Sequence, residues 1–224
     1  MIDLQRVSVP NDGRTMNGFL ARPDGGSSTG VVVIHEWWGL NKQMEDTCRR
    51  FAQEGYLALG VDLFNGQVTD NAERAREMML AIDKQQTLET LFSSVKYLRL
   101  DDGCTGKVAG VGFCFGGAWS LDMAIARKVD AAVIYYGNVD RPSEEIRNIS
   151  CPLLGHFGLQ DTGIKPELVR EFEGKLKSEH KDHELHWYPA GHAFANPERP
   201  AFHEGSAELS WTRTIAFLRN KLNG

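Results

Sequence analysis

The stretch Val108-Ala109-Gly110-Val111-Gly112-Phe113-Cys114-Phe115-Gly116-Gly117 constrains this chain more than any other. A short apolar β-type run ends at Gly112. A helix-compatible run, Ala118 to Arg127, begins just after it. Between them stands Gly-x-Cys-x-Gly, the nucleophile-elbow pattern with cysteine where serine is usual. An elbow is a strained strand-to-helix turn. Gly112 and Gly116 leave room for the close backbone approach it needs, and Cys114 is pushed out at the top of a sheet. The N-terminus of the following helix would stabilise a thiolate there. A buried cysteine in a glycine-rich turn is the competing reading, and a short motif alone does not choose between them.

The rest of the chain supplies the context. Gln5–Pro10 and Thr15–Arg22 flank the turn signal Asn11-Asp12-Gly13 and predict an opening antiparallel hairpin. Pro23 to Gly30 reads as a Pro/Gly/Ser loop. Val31-Val32-Val33-Ile34 is a continuous β-branched run, as expected of a strand buried on both faces. Asn41 can cap a helix to Gln53 whose stripe is Met44, Cys48, Phe51 and Ala52. Gly55 ends it, and Tyr56–Val61 is the next strand. Asp70 to Ala81 and Gln86 to Leu100 read as helices, the second carrying Leu88, Leu91, Val95 and Leu98 at helical spacing.

Beyond the elbow come a strand at Ala131–Tyr135, an acidic loop with Pro142, and a strand at Pro152–Phe157. A helix at Lys165–Ser178, a strand at Glu184–Tyr188 and a turn at Pro189-Ala190-Gly191-His192 follow. The last helix, about Gly205 to Lys221, has Leu209, Thr212, Ile215, Ala216 and Leu218 as its predicted apolar side. Strands alternate with helices from Val31 onward, so the expected fold is α/β, a mostly parallel central sheet with helices on both faces. No linker or repeat divides residues 1–224, so a single domain is expected.

Composition excludes several classes. A net charge of -5 gives no reason to expect nucleic acid or an anionic membrane as partner. No apolar run approaches the ~20 residues of a membrane span. The first residues, Met1 to Arg6, lack the apolar core of a signal peptide. Cys48, Cys104, Cys114 and Cys151 are scattered without a Cys-x-x-Cys pair, which suggests neither zinc nor a disulfide framework. A cytoplasmic location, no metal, no cofactor, and a monomer or weak homo-oligomer are the expectations.

Three residues follow three late strands: Cys114, then Asp161 in Gly158-Leu159-Gln160-Asp161, then His192. Nucleophile, acid, histidine is the chain order of α/β-hydrolases, and the loops at the carboxyl ends of the strands are where such a fold gathers its site. A free thiol has a pKa of about 8.5, so it needs help to ionise at neutral pH. His192 can take the thiol proton or stand as imidazolium beside the thiolate, and Asp161 can fix the imidazole tautomer. Asp161 could instead cap the turn before Ile164, and His192 could be a surface histidine. His156, His180, His183, His186 and His203 lack a matching position and read as structural or solvated. Two backbone N–H groups are needed for an oxyanion hole: that of Phe115, and one from the loop after the Val31 strand, Trp37. Trp37 and Trp38 could also simply pack over the sheet end. Glu36 is a carboxylate beside that loop.

The sequence resembles the dienelactone hydrolase family along nearly its whole length. The resemblance rests on Asp12-Gly13, the strand ending in Glu36 with Gly39 and Asn41, Gly55-Tyr56, Asp62-Leu63 and Glu73-Arg74-Ala75-Arg76-Glu77. It continues through Gly112-Phe113-Cys114-Phe115-Gly116-Gly117, Tyr135-Tyr136-Gly137, Gln160-Asp161, Gly191-His192-Ala193-Phe194 and the final helix. It implies a cysteine hydrolase with a Cys114–His192–Asp161 triad, in which Glu36 contacts the resting thiol and takes its proton when substrate arrives. It also implies two arginines that grip a substrate carboxylate. The first matches Arg76. The second falls at Asn196, so it is absent, and Arg199 is near enough in sequence to stand in for it or to be a solvated loop arginine. The expected activity is cleavage of a lactone or small ester, anionic if Arg76 acts. The alternatives are a general carboxylesterase or thioesterase with the same triad, and a non-catalytic thiol redox sensor on the same fold.

Overall fold

The computed structural model describes residues 2–11, 13–26 and 28–222. Asp12 of the predicted hairpin turn, Ser27 of the predicted loop and Met1 of the N-terminal segment lie outside the described residues. The chain divides into two compact units, Met1–Gly110 and Val111–Gly224.

The first unit opens with β1 (Leu4–Asn11) and β2 (Arg14–Ala21), paired antiparallel with Val7 opposite Gly18. β3 (Ser28–Ile34) and β4 (Leu57–Val61) pair in parallel, and β2 lies antiparallel on the other side of β4. Val31 to Ile34 are fully buried. Each such side chain removed from water contributes roughly 1.5–3 kcal/mol. β3 begins at Ser28 rather than Val31, because Thr29 and Gly30 are buried and extend the ladder although neither favours strands by itself.

Three helices accompany these strands: α1 (Lys42–Gln53), α2 (Ala72–Ala81) and α3 (Lys84–Arg99). Asn41, Asn71 and Asp83 cap them, each side chain accepting a first-turn N–H. Such a cap contributes about 1 kcal/mol. The predicted α1 stripe is buried, and on α3 Leu91, Val95 and Leu98 are buried while Leu88 is half-buried. β5 (Cys104–Phe113) starts in this unit and its last residues open the second.

The second unit continues with α4 (Phe115–Ile125), β6 (Ala131–Tyr135), α5 (Ser143–Ile146), β7 (Leu153–Gly158), α6 (Pro166–Ser178), β8 (His183–Tyr188) and α7 (Glu204–Leu222). β6, β7 and β8 run parallel, with Tyr135 beside His156 and His156 beside His186. The eight strands follow the order β1-β2-β4-β3-β5-β6-β7-β8, a mostly parallel sheet with an antiparallel hairpin at one edge and helices around it. Among the described residues no helix is long and apolar enough to cross a membrane.

Two predictions for this unit need correction. The acidic loop around Pro142 contains the short helix α5. On α7, Ile215 and Leu218 are buried, but Leu209, Thr212 and Ala216 are exposed. The inward face is Ala207, Ser210, Trp211, Thr214, Ile215 and Leu218. Buried Ser210 and Thr214 are tolerated because their hydroxyls are hydrogen-bonded.

Candidate active site

Helix α4 starts at Phe115, three residues before the predicted Ala118, so that Cys114 itself is the residue before its first turn. Cys114 has φ 52° and ψ -111°. A side chain in that region costs of order 1–3 kcal/mol and persists only where the surroundings hold it. Here the Cys114 N–H donates to the Tyr135 carbonyl at 2.9 Å, and the Cys114 carbonyl accepts from Gly117 N–H at 3.0 Å. A Cβ at residue 112 would lie 1.9 Å from the Gly116 oxygen, so only glycine fits. Gly117 and Gly137 meet closely: a Cβ on either would come within 2.8 Å of the other's backbone. Helix α4 is thereby pressed against the end of β6. Its N-terminal dipole favours negative charge on the half-buried Cys114 sulfur.

β7 and β8 bring the other two residues to the same place. Their pairing continues past the strand ends, with Leu159 N–H on the Tyr188 carbonyl (2.8 Å) and Gln160 N–H on the Ala190 carbonyl (3.0 Å). A Cβ at Gly158 would lie 2.3 Å from the Ala190 oxygen, so the two loops can run this close only with glycine there. His192 Nδ1 donates to Asp161 Oδ2 at 2.7 Å, and His192 Nε2 lies 3.0 Å from Cys114 Sγ. Asp161 is buried, and its Oδ1 accepts from Gly163 N–H (2.8 Å) and Ile164 N–H (2.9 Å). Asp161 therefore caps its own turn with one oxygen and hydrogen-bonds His192 with the other. Burial pulls the His192 pKa down. Hydrogen bonds and charge from Asp161 and Cys114 outweigh it and push it up to about 10. The arrangement favours an imidazolium facing the sulfur.

Tyr136 and Phe194 form the wall behind His192. The Tyr136 ring stands edge-on to His192 and to Phe194, each at 5.2 Å. Tyr136 has φ 38° and its N–H donates to the His156 carbonyl. Sequence reasoning gave Tyr136 no role. A bulky residue directly after a strand and before glycine was the available signal.

The other candidates occupy well-defined positions. Glu36 is buried just past the end of β3, and its carbonyl accepts from His35 Nδ1. His35 Nε2 accepts from Leu63 N–H at 3.2 Å, so His35 is neutral and ties the loop after β3 to the loop after β4. Trp37 and Trp38 are half-buried with their rings edge-to-face at 5.0 Å. Arg76 is exposed on α2, where Ala75 and Met78 take the inward positions. Glu36, Trp37 and Arg76 belong to the first unit, whereas Cys114, Phe115, Asp161, His192, Asn196 and Arg199 belong to the second. Asn196 is buried and its Oδ1 accepts from Glu198 N–H at 2.9 Å, so its amide oxygen serves its own loop. The Arg199 N–H donates to the Asn196 carbonyl.

A cysteine elbow before a helix, with a histidine and an acid from the next strand ends of a mostly parallel sheet, defines the α/β-hydrolase class. The model of the dienelactone hydrolase family matches residues 16–222, and the chain belongs to that family and is an ester-bond hydrolase. A Saccharolobus solfataricus protein named "Putative carboxymethylenebutenolidase" is 30% identical over 96% of this chain and 98% of its own. A Bradyrhizobium protein named "Probable 2-oxo-3-(5-oxofuran-2-ylidene)propanoate lactonase" is 26% identical, over 100% of this chain and 96% of that protein. The crystal structure titled "Putative Dienelactone Hydrolase" from Klebsiella pneumoniae superposes with a TM-score of 0.89 at 28% identity, covering 96% of this chain and 98% of that one.

Proposed function

We propose that this protein hydrolyses a lactone or small carboxylic ester through an acyl-enzyme on Cys114. The observation that carries the reading is His192, which bridges Asp161 Oδ2 at 2.7 Å and Cys114 Sγ at 3.0 Å. The Cys114 thiolate adds to the ester carbonyl carbon, and the carbonyl oxygen takes the negative charge. The backbone N–H groups of Phe115 and Trp37 receive that oxyanion. The intermediate collapses with cleavage of the acyl C–O bond, and His192 Nε2–H protonates the departing alkoxide. In a lactone the new hydroxyl stays attached to the acyl chain. Neutral His192 then removes a proton from water, whose oxygen attacks the thioester. The carboxylic acid leaves and the Cys114 thiolate returns beside the imidazolium.

Two further roles belong to the same proposal. Glu36 contacts the resting Cys114 thiol and takes its proton when substrate arrives; at rest one of the two holds the proton, since a buried carboxylate and a thiolate side by side would repel. Arg76 binds a substrate carboxylate, in keeping with the lactone propanoate in the name of the Bradyrhizobium relative. We take residues 1–224 as one catalytic domain, at work in a reducing cytoplasm that keeps Cys114 free, as a monomer or weak homo-oligomer. A second reading, a general carboxylesterase or thioesterase, is favoured by one observation: a neutral Asn196, its oxygen held by its own loop, stands where the family's second arginine falls.

Cys114→Ala and Cys114→Ser test the proposal. Both should fold, the alanine variant without turnover and the serine variant weak, because a hydroxyl is much harder to ionise. Wild-type kcat/KM in the alanine variant would reject it.

A further inference from the structure

A buried polar chain lies behind the triad, on the side of the sheet covered by α7. Arg213 Nη1 donates to the Tyr188 hydroxyl at 3.2 Å, with its guanidinium 5.5 Å from the ring centroid. The Tyr188 hydroxyl contacts His156 Nδ1 at 2.8 Å. His156 Nε2 contacts Thr214 Oγ1 at 3.0 Å, and Thr214 Oγ1 meets the Tyr135 hydroxyl at 2.7 Å. His156 and Thr214 are fully buried.

Arginine can only donate, so the Tyr188 oxygen accepts from it. With the Tyr188 proton directed to His156 Nδ1, the chain runs in one direction. His156 is then neutral with its proton on Nε2, which donates to Thr214. The surroundings agree with that assignment. Burial, then His186 stacked 5.9 Å away and Arg213, holds His156 well below its ordinary pKa. Burial pushes the Tyr188 phenol up in spite of Arg213.

The residues in this chain are also those whose backbones hold the site. The Tyr135 carbonyl accepts from the Cys114 N–H. The His156 carbonyl accepts from the N–H of Tyr136, whose ring backs His192. The Tyr188 carbonyl accepts from both Leu159 and Ala190, the starts of the loops that carry Asp161 and His192. Tyr188 also packs on Phe194 at 4.9 Å.

We propose that His156, with Tyr188 and Thr214, is a positioning device that fixes the spacing of Cys114, His192 and Asp161 from behind. None of the three touches the reacting atoms. They act through the ends of β6, β7 and β8, and the inference rests on the triad reading. Packing alone would ask for apolar side chains at these places, and a directed chain of four hydrogen bonds specifies one geometry instead.

The test is the rate of Cys114 alkylation by iodoacetamide at pH 7, followed by mass spectrometry of the Cys114 peptide, together with kcat on an aryl ester. The groups facing that sulfur in the second unit are His192 and, through it, Asp161. A loosened His192 contact supports the thiolate less, so alkylation should slow. Tyr188→Phe and Thr214→Val should each slow it about threefold or more and lower kcat about tenfold, with KM little changed. His156→Gln, which keeps a donor and an acceptor, should remain near wild type. A merely structural role would lower Tm in Tyr188→Phe and Thr214→Val while leaving the alkylation rate in place, and that result overturns the inference. If Thr214→Val does not fold, Arg213→Met, at a half-buried position on α7, is read in its place with the same expectation. His192→Asn separates the two claims. If it slows alkylation while Tyr188→Phe and Thr214→Val or Arg213→Met do not, only this inference falls. If His192→Asn leaves the alkylation rate unchanged, the triad reading falls, and this inference falls with it.

Discussion

Asp161 divides its two oxygens between His192 and its own turn: Oδ2 accepts from His192 Nδ1 at 2.7 Å while Oδ1 accepts from the Gly163 and Ile164 N–H groups. The carboxylate is locked before the histidine meets it, so the imidazole has one orientation available. Asp161→Asn can keep the turn through its amide oxygen. It then faces His192 with an amide N–H that favours the wrong tautomer. The expected outcome is a folded protein with kcat lowered roughly 10²- to 10⁴-fold. The His192 pKa should fall from about 10, as read by NMR of the imidazole protons. A variant with unchanged kcat would remove Asp161 from the catalytic role.

Stability should fall on acidification below about pH 6.5. Burial holds His35 below its ordinary pKa and His156 well below it. The unfolded chain therefore binds protons near 6.5 that the native state refuses, and native stability drops as pH falls through that value. Each histidine contributes at most about 1.4 kcal/mol per pH unit. His192 runs the other way: its raised pKa gives a contribution that is full below 6.5 and is lost as pH rises through about 10. Urea unfolding at pH 7 and pH 5.5 should reveal the drop, and His156→Gln should make it shallower. An equal slope in that variant would mean His156 is not a source of it.

Two glycine-to-alanine changes should move stability in opposite directions. At Gly112 the added Cβ would sit 1.9 Å from the Gly116 oxygen, and its nearest neighbours are all backbone of Gly116 and Gly117, with no side chain to swing away. Gly112→Ala should cost at least about 3 kcal/mol and most of the activity. At Gly174, exposed in the middle of α6, nothing lies within 4 Å. Gly174→Ala should add about 0.5–1 kcal/mol through helix propensity, without altering kcat. Thermal melts of the two variants check the pair.

The reasons some features were legible and others were not can be read at particular residues. Val31 to Ile34 announce a buried strand because four apolar side chains in a row suit only a doubly covered position. Cys114, Asp161 and His192 were legible because each follows a strand, and a parallel sheet gathers such loops at one end. The start of α4 was not, because Gly116 and Gly117 are poor helix formers. They are needed for the approach of Gly112 and Gly137, a tertiary requirement with no local pattern. The inward face of α7 was hidden for a related reason. Ser210 and Thr214 look like surface residues until their hydroxyls find buried partners. Tyr136 and the Tyr188–His156–Thr214 chain escaped notice because buried aromatic residues in strands and at their ends read as packing, and a helical threonine such as Thr214 reads as surface.

Substrate charge tests Arg76. An exposed guanidinium on α2 can bind a carboxylate through two parallel hydrogen bonds. One charge-assisted contact contributes roughly 1.5–3 kcal/mol, about tenfold to a hundredfold in kcat/KM. A lactone bearing a free carboxylate should therefore outrun its methyl ester in wild type, and Arg76→Ala should erase most of the difference. If wild type prefers the neutral ester, or Arg76→Ala slows both equally, the substrate is uncharged and Arg76 lies outside the binding site.

The most direct measurement of the central claim is the location of the acyl group during turnover. The enzyme is mixed with an activated aryl acetate, quenched in acid within one turnover, and mapped by peptide mass spectrometry. The expected result is one acetyl group per chain, on the Cys114 peptide and labile to hydroxylamine, with no adduct and no turnover in Cys114→Ala. Turnover of wild-type size in Cys114→Ala, or a kinetically competent adduct on any other residue, would contradict it.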